Sequence, residues 1–281
     1  MSGFLQIMLA PFVACMILVA IHSYLGLHVI AREVIFVDLS LAQMAALGTT
    51  IALFMGVAHT SPWAQVFALA ATVLGAAVFA ATRTKNHGRV PQEAIIGIVY
   101  VVASAAAILV ANQTPSGGEA IKEILEGTVL WVTWTTILKL AVAYVVLGGY
   151  FFLMRRRFET ISFEPQLAET QGWKMRWWDF WFYLGFGIVI TFSVPIAGVP
   201  LVFSFLVVPA VTAFMFTRKP LLLTVIAWIT GAVASAAGLA VSYWSDWPTG
   251  PTIVCTFGLV LLLAALGKRL FGSPAVETAA A

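Results

Sequence analysis

Two polar side chains lie where a charged segment runs into an apolar one. Residues 32–48 read REVIFVDLSLAQMAALG, with Asp38 and Gln43 inside the apolar part and Ser40 between them. A carboxylate in an apolar segment attracts cations, and carboxylate and amide oxygens ligate divalent metals. Asp38 can instead cap the helix that begins here, and Gln43 can instead form a hydrogen bond between helices. Both interpretations stay open: a cation pathway lined by these three residues, or an ordinary helix start.

His22 is the other candidate for chemistry inside an apolar segment. It is either a ligand in the same pathway or a histidine that is hydrogen-bonded between helices. The sequence has no HExxH, no GxSxG and no glycine-rich phosphate loop ending in Lys-Ser or Lys-Thr. Cys15 and Cys255 stand alone in apolar runs, which favours structural thiols over a metal site. We therefore expect no enzymatic activity, so that any energy for a working cycle comes from another chain.

The composition predicts the environment of these residues. Of the 281 residues, 61% are hydrophobic and 10% are charged, and the mean hydropathy is +0.99. Soluble domains carry about 25% charged residues, so we expect an all-α integral membrane protein. A helix that crosses a membrane needs about 20 apolar residues. Nine stretches qualify, although the sixth and seventh are poorly separated and eight spans are an alternative: 5–27, 38–58, 63–82, 94–112, 132–154, 179–197, 199–216, 221–243 and 250–267.

Basic residues give this predicted bundle a sidedness. Lys and Arg are retained on the cytoplasmic side of a membrane, and thirteen of the fifteen fall in alternate connections or after the last span. Lys122 falls in a connection on the other side, and Lys139 lies just inside the fifth span. The pattern predicts an N-terminus outside and a C-terminus in the cytoplasm. The thirteen residues are Arg32, Arg83, Lys85, Arg89, Arg155, Arg156, Arg157, Lys174, Arg176, Arg218, Lys219, Lys268 and Arg269.

The fifth connection is long and amphipathic. Residues 155–179 read RRRFETISFEPQLAETQGWKMRWWD, and apolar residues alternate with charged ones around a Glu164-Pro165 pair that is typical of a helix start. A plain charged connection would not need so many apolar residues. The segment therefore predicts a short cytoplasmic helix on which a partner docks.

Four segments, in the same order along the chain, resemble the permease subunits of bacterial ABC transporters for divalent metals, the zinc, manganese and iron uptake group. They are REVIFVDLSLAQMAALG (32–48), ETISFEPQLAETQGWK (159–174), AGVPLVFSFLVVPAVTAF (197–214) and SYWSDWPTGPTIV (242–254). Each segment alone is weakly specific, but the four together cover nearly the whole chain.

The resemblance implies an architecture and a set of partners. It implies a homodimer in the bacterial inner or plasma membrane, two ATPase subunits below it, and a periplasmic or lipoprotein metal-binding protein outside. The transported divalent cation, zinc first and manganese or iron next, would be the only metal, without a resident cofactor, and no nucleic acid is expected. The coupling segment would span about 158–174. The residues that the resemblance places against the ATPase are Phe163, Glu164, Pro165, Leu167, Ala168 and Gly172.

The opening stretch departs from this family in one respect. The family has an Asp followed four residues later by a His in the second span, a spacing that puts both on one helix face. Here Asp38 matches the Asp, Gln43 stands for the His, and the spacing is five, about 500° of helix rotation. Asp38 is thus the one predicted metal ligand. The missing imidazole keeps open a permease for another small solute on the same scaffold; a stand-alone channel or an intramembrane enzyme is the more distant alternative.

We expect residues 1–270 to form a single membrane domain and 271–281 to form a disordered tail. The first stretch lacks a basic leader region and a small-residue cleavage motif, so we expect a retained span.

Overall fold

The computed structural model describes residues 2–58, 61–83, 90–114 and 117–271, and these form helices and connections without a strand. A short 3₁₀ turn, Val129–Trp131, precedes the sixth helix. The helices are α1 (Ser2–Ala31), α2 (Val37–Phe54), α3 (Pro62–Ala81), α4 (Gln92–Ala111), α5 (Gly117–Glu126), α6 (Trp134–Phe163), α7 (Pro165–Thr170), α8 (Met175–Ala197), α9 (Val199–Phe216), α10 (Pro220–Ser245) and α11 (Thr249–Phe271). Lys85, Arg89 and most of the predicted tail lie outside the described residues.

Nine helices of the described part are long and apolar enough to cross a membrane, namely all except α5 and α7. The predicted all-α membrane class with nine spans is confirmed. The sixth and seventh spans are separate because the chain turns at Gly198, which has a φ of 77°. Residues with a Cβ avoid this backbone conformation, whereas glycine adopts it readily.

The fifth span is longer than the sequence predicted. It was expected at 132–154, but α6 has 30 residues and ends at Phe163. At 1.5 Å per residue α6 is about 45 Å long, more than the ~30 Å hydrocarbon core. Arg155, Arg156 and Arg157 therefore lie on the helix itself and not in a connection. The guanidinium carbon of Arg157 lies 4.1 Å from the ring centre of Trp173 and holds the helix end against the segment after α7.

The amphipathic helix α5 was not predicted. It follows α4 in the chain and packs against α2, α4, α8 and α9. Just after it, the Thr128 backbone N–H donates to the Ile196 carbonyl at 2.9 Å. The connection that carries Lys122 is thus folded onto the bundle. Ten residues are too few for a helical period to stand out from the sequence of a loop.

Two groups of helices position the candidate residues. α2 packs against α3, α4 and α8, whereas α1 packs chiefly against α6, α9 and α10. Gly48 allows a close approach of α2 to α3, because a Cβ there would lie 2.3 Å from the Phe67 carbonyl oxygen. Such small-residue contacts let membrane helices pack closely. A shared core joins the groups, and its largest buried rings include Phe79, Phe158, Phe182, Tyr183 and Phe186.

Candidate functional site

Asp38 is a buried acid in the first turn of α2. Its side chain is 1% exposed, and its Oδ1 atom has no hydrogen-bond partner among the residues that the structure describes. Buried charged groups are normally paired or bound to a metal. The positive end of the α2 macrodipole stabilises the carboxylate, but it fills no lone pair on Oδ1. Asp38 therefore presents an oxygen that can accept a cation.

The prediction that Asp38 caps α2 is wrong. The cap residue is Phe36, which makes no side-chain cap hydrogen bond, and Asp38 lies two positions further into the helix. The Phe36 backbone N–H donates instead to Oε1 of Glu93, at 2.9 Å, from the start of α4. Glu93 of the neighbouring helix thus accepts from the backbone N–H of the cap residue, as the Glu of a capping box does within its own helix.

Ser40 and Gln43 follow Asp38 on α2 but have different surroundings. Ser40 is buried, and its hydroxyl donates to the Ile96 carbonyl of α4 at 2.6 Å. Gln43 is 8% exposed, and its side chain makes no hydrogen bond to another described residue. Because α2 is a regular α-helix, the five-residue spacing rotates Gln43 by about 140° from Asp38. The two side chains therefore do not stack on one face.

His22 lies on α1 and has both ring nitrogens in hydrogen bonds. Nδ1 lies 2.8 Å from the Leu18 carbonyl oxygen, and Nε2 lies 3.0 Å from the Ser193 hydroxyl of α8. That hydroxyl oxygen also lies 2.6 Å from the Val189 carbonyl oxygen and contacts the Tyr144 hydroxyl of α6. The arrangement ties α1, α6 and α8 together inside the subunit. A metal could bind His22 only by displacing one of these partners.

A buried charge cluster, which the sequence analysis missed, joins four helices. Arg32 donates to Asp179 at 2.8 Å, and Arg83 also pairs with Asp179, which is 1% exposed. Arg32 Nε donates to the Ser162 hydroxyl at 2.7 Å, and that hydroxyl lies 2.9 Å from His28 Nδ1. The Arg32–Asp179 cluster thus links the ends of α1, α3 and α6 to the start of α8. Asp179, a single acid among Trp and Phe residues at the start of a span, was the feature of the sequence that could have predicted this cluster.

The predicted coupling segment contains a real helix. α7 begins at Pro165 with Glu164 as its cap residue, so the helix start predicted at this pair is confirmed. It ends in a Schellman motif, in which Trp173 N–H donates to Ala168 O at 3.1 Å and Gly172 N–H donates to Glu169 O at 2.9 Å. Gly172 has the φ of 69° that this motif requires. Phe163, Glu164 and Leu167 are exposed, whereas Ala168 is fully buried.

A polar cavity of about 320 Å³ lies toward the other end of α2. Thr49, which lines it, is eleven positions after Asp38 and so about 16 Å further along the helix. Its polar lining residues also include Gln65 of α3, Lys139 of α6 and Thr191 of α8. Among the described residues, no three His, Cys, Asp or Glu side chains come together as a metal site. Within one subunit, Asp38 therefore does not have two further acidic, His or Cys side chains beside it in the described residues.

Comparison with known proteins places these features in a family. The profile of the ABC 3 transport family matches residues 4–268. The manganese transport system membrane protein MntC of Listeria innocua is 27% identical, over 94% of this chain and 90% of the relative. The high-affinity zinc uptake system membrane protein ZnuB of Haemophilus influenzae is 20% identical, over 94% of this chain and 98% of the relative.

The fold is also known from a solved complex. One chain of PsaBC from Streptococcus pneumoniae, solved with a Fab, superposes with a TM-score of 0.78 at 18% identity, over 97% of this chain and 96% of the other. The family profile covers nearly all of the nine-span bundle described above. The chain is therefore a multi-pass membrane protein of the ABC 3 transport family, and these relatives are named as membrane proteins of manganese and zinc transport systems.

Proposed function

We propose that this subunit forms, with a second copy of itself, the membrane pathway through which an ABC transporter imports a divalent metal ion, zinc, manganese or iron. The observation that carries the proposal is Asp38, a buried carboxylate with an unpartnered oxygen inside a span. Ionisable side chains within membrane spans are costly and typically mark an ion or substrate pathway. The polar cavity near Thr49 offers an entrance at the other end of the same helix.

The orientation proposed from the positive-inside rule places the Arg32–Asp179 cluster at the cytoplasmic face. The α7 segment is then cytoplasmic as well, since it lies between the end of α6 and the start of α8. The N-terminus is outside, and the α5 connection faces the metal-binding protein. This arrangement puts the Asp38 end of α2 nearer to the ATPase and the cavity nearer to the metal donor.

The ATPase is proposed to dock on the α7 segment through Phe163, Glu164, Pro165 and Leu167. Ala168 supports this surface from within because it is buried, and Gly172, which is exposed, shapes the end of the helix. A Glu164→Arg substitution is expected to release the ATPase during co-purification. The charge-matched control is Glu126→Arg on α5, whose side chain is likewise exposed. Wild-type ATPase recovery with Glu164→Arg would count against this docking surface.

The pathway itself is tested by Asp38→Asn in the whole complex. The change removes one negative charge and preserves the shape of the side chain, so expression is expected to stay normal. Metal accumulation is expected to fall by about tenfold or more, the usual cost of weakening one ligand. Asp246→Asn, at an exposed position, serves as the control. Wild-type accumulation by Asp38→Asn would remove Asp38 from the pathway.

A second candidate function is transport of another small solute on the same scaffold. Gln43, a neutral amide with no described hydrogen-bond partner, favours it, because it stands where the resemblance places a histidine ligand. The same accumulation assay separates the two functions. Growth dependence on an organic or chelated solute, with no change in cellular zinc, manganese or iron, would favour the second.

A further inference from the structure

Glu93 occupies an unusual position at the start of α4. Its Oε1 atom accepts the hydrogen bond from Phe36 N–H, immediately before α2, and so joins the starts of the two helices. Its other oxygen, Oε2, is buried and has no hydrogen-bond partner in the described residues. The capping contact therefore uses only half of the carboxylate. The remaining oxygen has no explanation in the packing of α2 and α4.

Asp38 and Glu93 share this property and lie near each other. In the described part of the chain only four buried side-chain polar atoms lack a partner, and Asp38 Oδ1 and Glu93 Oε2 are two of them. Asp38 lies two positions after Phe36, whose N–H donates to Glu93, so both carboxylates lie where the starts of α2 and α4 meet. Two like charges with unfilled lone pairs in a poorly hydrated place repel each other. A bound cation would remove both the repulsion between the two charges and the cost of the unfilled lone pairs.

Basic side chains do not fill these two oxygens. Arg32 Nη2 is itself buried without a partner in the described residues, but it makes no hydrogen bond to either carboxylate. Arg32 and Arg83 direct their ion pairs to Asp179. Neither Asp38 nor Glu93 forms an ion pair with another residue that the structure describes. Ser40, the other polar side chain in the first turns of α2, gives its hydroxyl hydrogen to Ile96. Two carboxylate oxygens therefore stand without a partner at this end of the α2–α4 pair.

We infer that Glu93 is a second carboxylate of the cation pathway. Together with Asp38 it forms a binding site of two carboxylates that a divalent cation occupies briefly during transport. The inference rests on the proposed function and extends it to a residue on another helix. Carboxylate oxygens bind Mn²⁺ and other hard divalent ions well, and two monodentate contacts without a closed ligand shell let the ion leave again. Glu93 thereby accepts from the N–H of the α2 cap residue and also serves as a ligand, so a bound ion also tightens the α2–α4 contact.

The test compares two substitutions that separate charge from capping. Glu93→Gln retains the length and an oxygen that can accept from Phe36 N–H, but it removes the charge. Glu93→Asp retains the charge, but its shorter side chain reaches Phe36 less well. The assay is accumulation of radioactive manganese and zinc in cells that carry the full transporter and lack their own uptake systems, normalised to permease content. Glu33→Gln is the matched control, because Glu33 is exposed at the same end of the bundle.

The inference predicts that Glu93→Gln lowers accumulation by about tenfold, that Glu93→Asp retains more activity than Glu93→Gln, and that Glu33→Gln resembles wild type. The reverse order, with Glu93→Gln more active than Glu93→Asp, would assign Glu93 to capping alone and overturn the inference. If the Glu93→Gln permease does not reach the wild-type amount in the membrane, the Glu93 charge is needed for folding. That result would overturn the inference as well. If the wild-type complex accumulates no divalent metal, the proposed function fails; if uptake depends on Asp38 and not on Glu93, only this inference fails.

Discussion

Ser40 and Asp38 are both buried polar residues on α2, but only one of them has all its polar atoms in hydrogen bonds. This difference decides which of the two is the better candidate for a metal contact. Ser40 has a backbone acceptor at 2.6 Å, so packing accounts for it fully. Asp38 is equally buried but has an oxygen without a partner. A buried hydroxyl with a partner stabilises a helix contact, whereas a buried carboxylate without one lowers stability unless a ligand compensates. Asp38 therefore remains the stronger candidate for metal contact.

At the residue scale, Gln43→His is expected to change metal preference. Imidazole nitrogen suits zinc better than a neutral amide oxygen does, and oxygen ligands suit manganese. If Gln43 faces the pathway, the variant should accumulate zinc relative to manganese several-fold more than wild type. Competition between the two radioactive metals in the same cells measures the ratio, and Gln6→His, at an exposed position near the start of α1, is the control. An unchanged ratio with a lowered melting temperature would place Gln43 in helix packing.

At the scale of elements, the Arg32–Asp179 cluster lies on both sides of α7 along the chain. Ser162 precedes α7 and Asp179 follows it, and both contact Arg32 at the end of α1. The Schellman motif at Gly172 fixes the direction of the chain between these two contacts. A force on α7 would therefore reach α1, and through the short connection after it the start of α2.

Asp179→Asn is expected to destabilise the subunit strongly. The change leaves Arg32, which is 6% exposed, and Arg83 without their carboxylate partner. Removing one member of a buried ion pair costs about 3–5 kcal/mol, because the remaining charge stays buried. Thermal unfolding of the purified complex measures the effect, with the exposed Asp246→Asn as the control. Equal melting temperatures for the two variants would contradict a structural function of the cluster.

At the scale of the whole molecule, the proposed orientation can be tested from both sides of the membrane. Cys15 and Cys255 are first replaced, and single cysteines are then placed at Lys122, Arg156 or Arg269, which are exposed positions. An impermeant thiol reagent in intact cells is expected to label position 122 only. Positions 156 and 269 should react after the cells are opened. Labelling of 156 in intact cells, without labelling of 122, would reverse the orientation.

The sequence predicted the membrane class and most helix limits closely, because apolar stretches of about 20 residues are a local signal. It was less accurate where a helix extends beyond the membrane, as α6 does from 155 to Phe163, since hydropathy falls there while the helix continues. It also missed α5 and assigned the cap of α2 to Asp38, whereas the cap residue is Phe36. The pathway residues named from the sequence, Asp38, Ser40, Gln43 and His22, stay predictions, and nothing in the sequence was a reason to consider Glu93, whose contact with Phe36 joins two helices.

Composition and the order of apolar segments alone determined that this chain is an all-α membrane protein with eight or nine spans, and that an acid, Asp38, lies at the start of the second. Tertiary structure alone decided what that acid and its neighbours contact. Glu93 meets Phe36 across 57 positions, Arg32 meets Asp179 across 147, and Ser193 meets His22 across 171. Hydropathy acts on each segment separately, whereas a hydrogen bond or an ion pair depends on which helices pack side by side, and that depends on the fit of all nine spans at once.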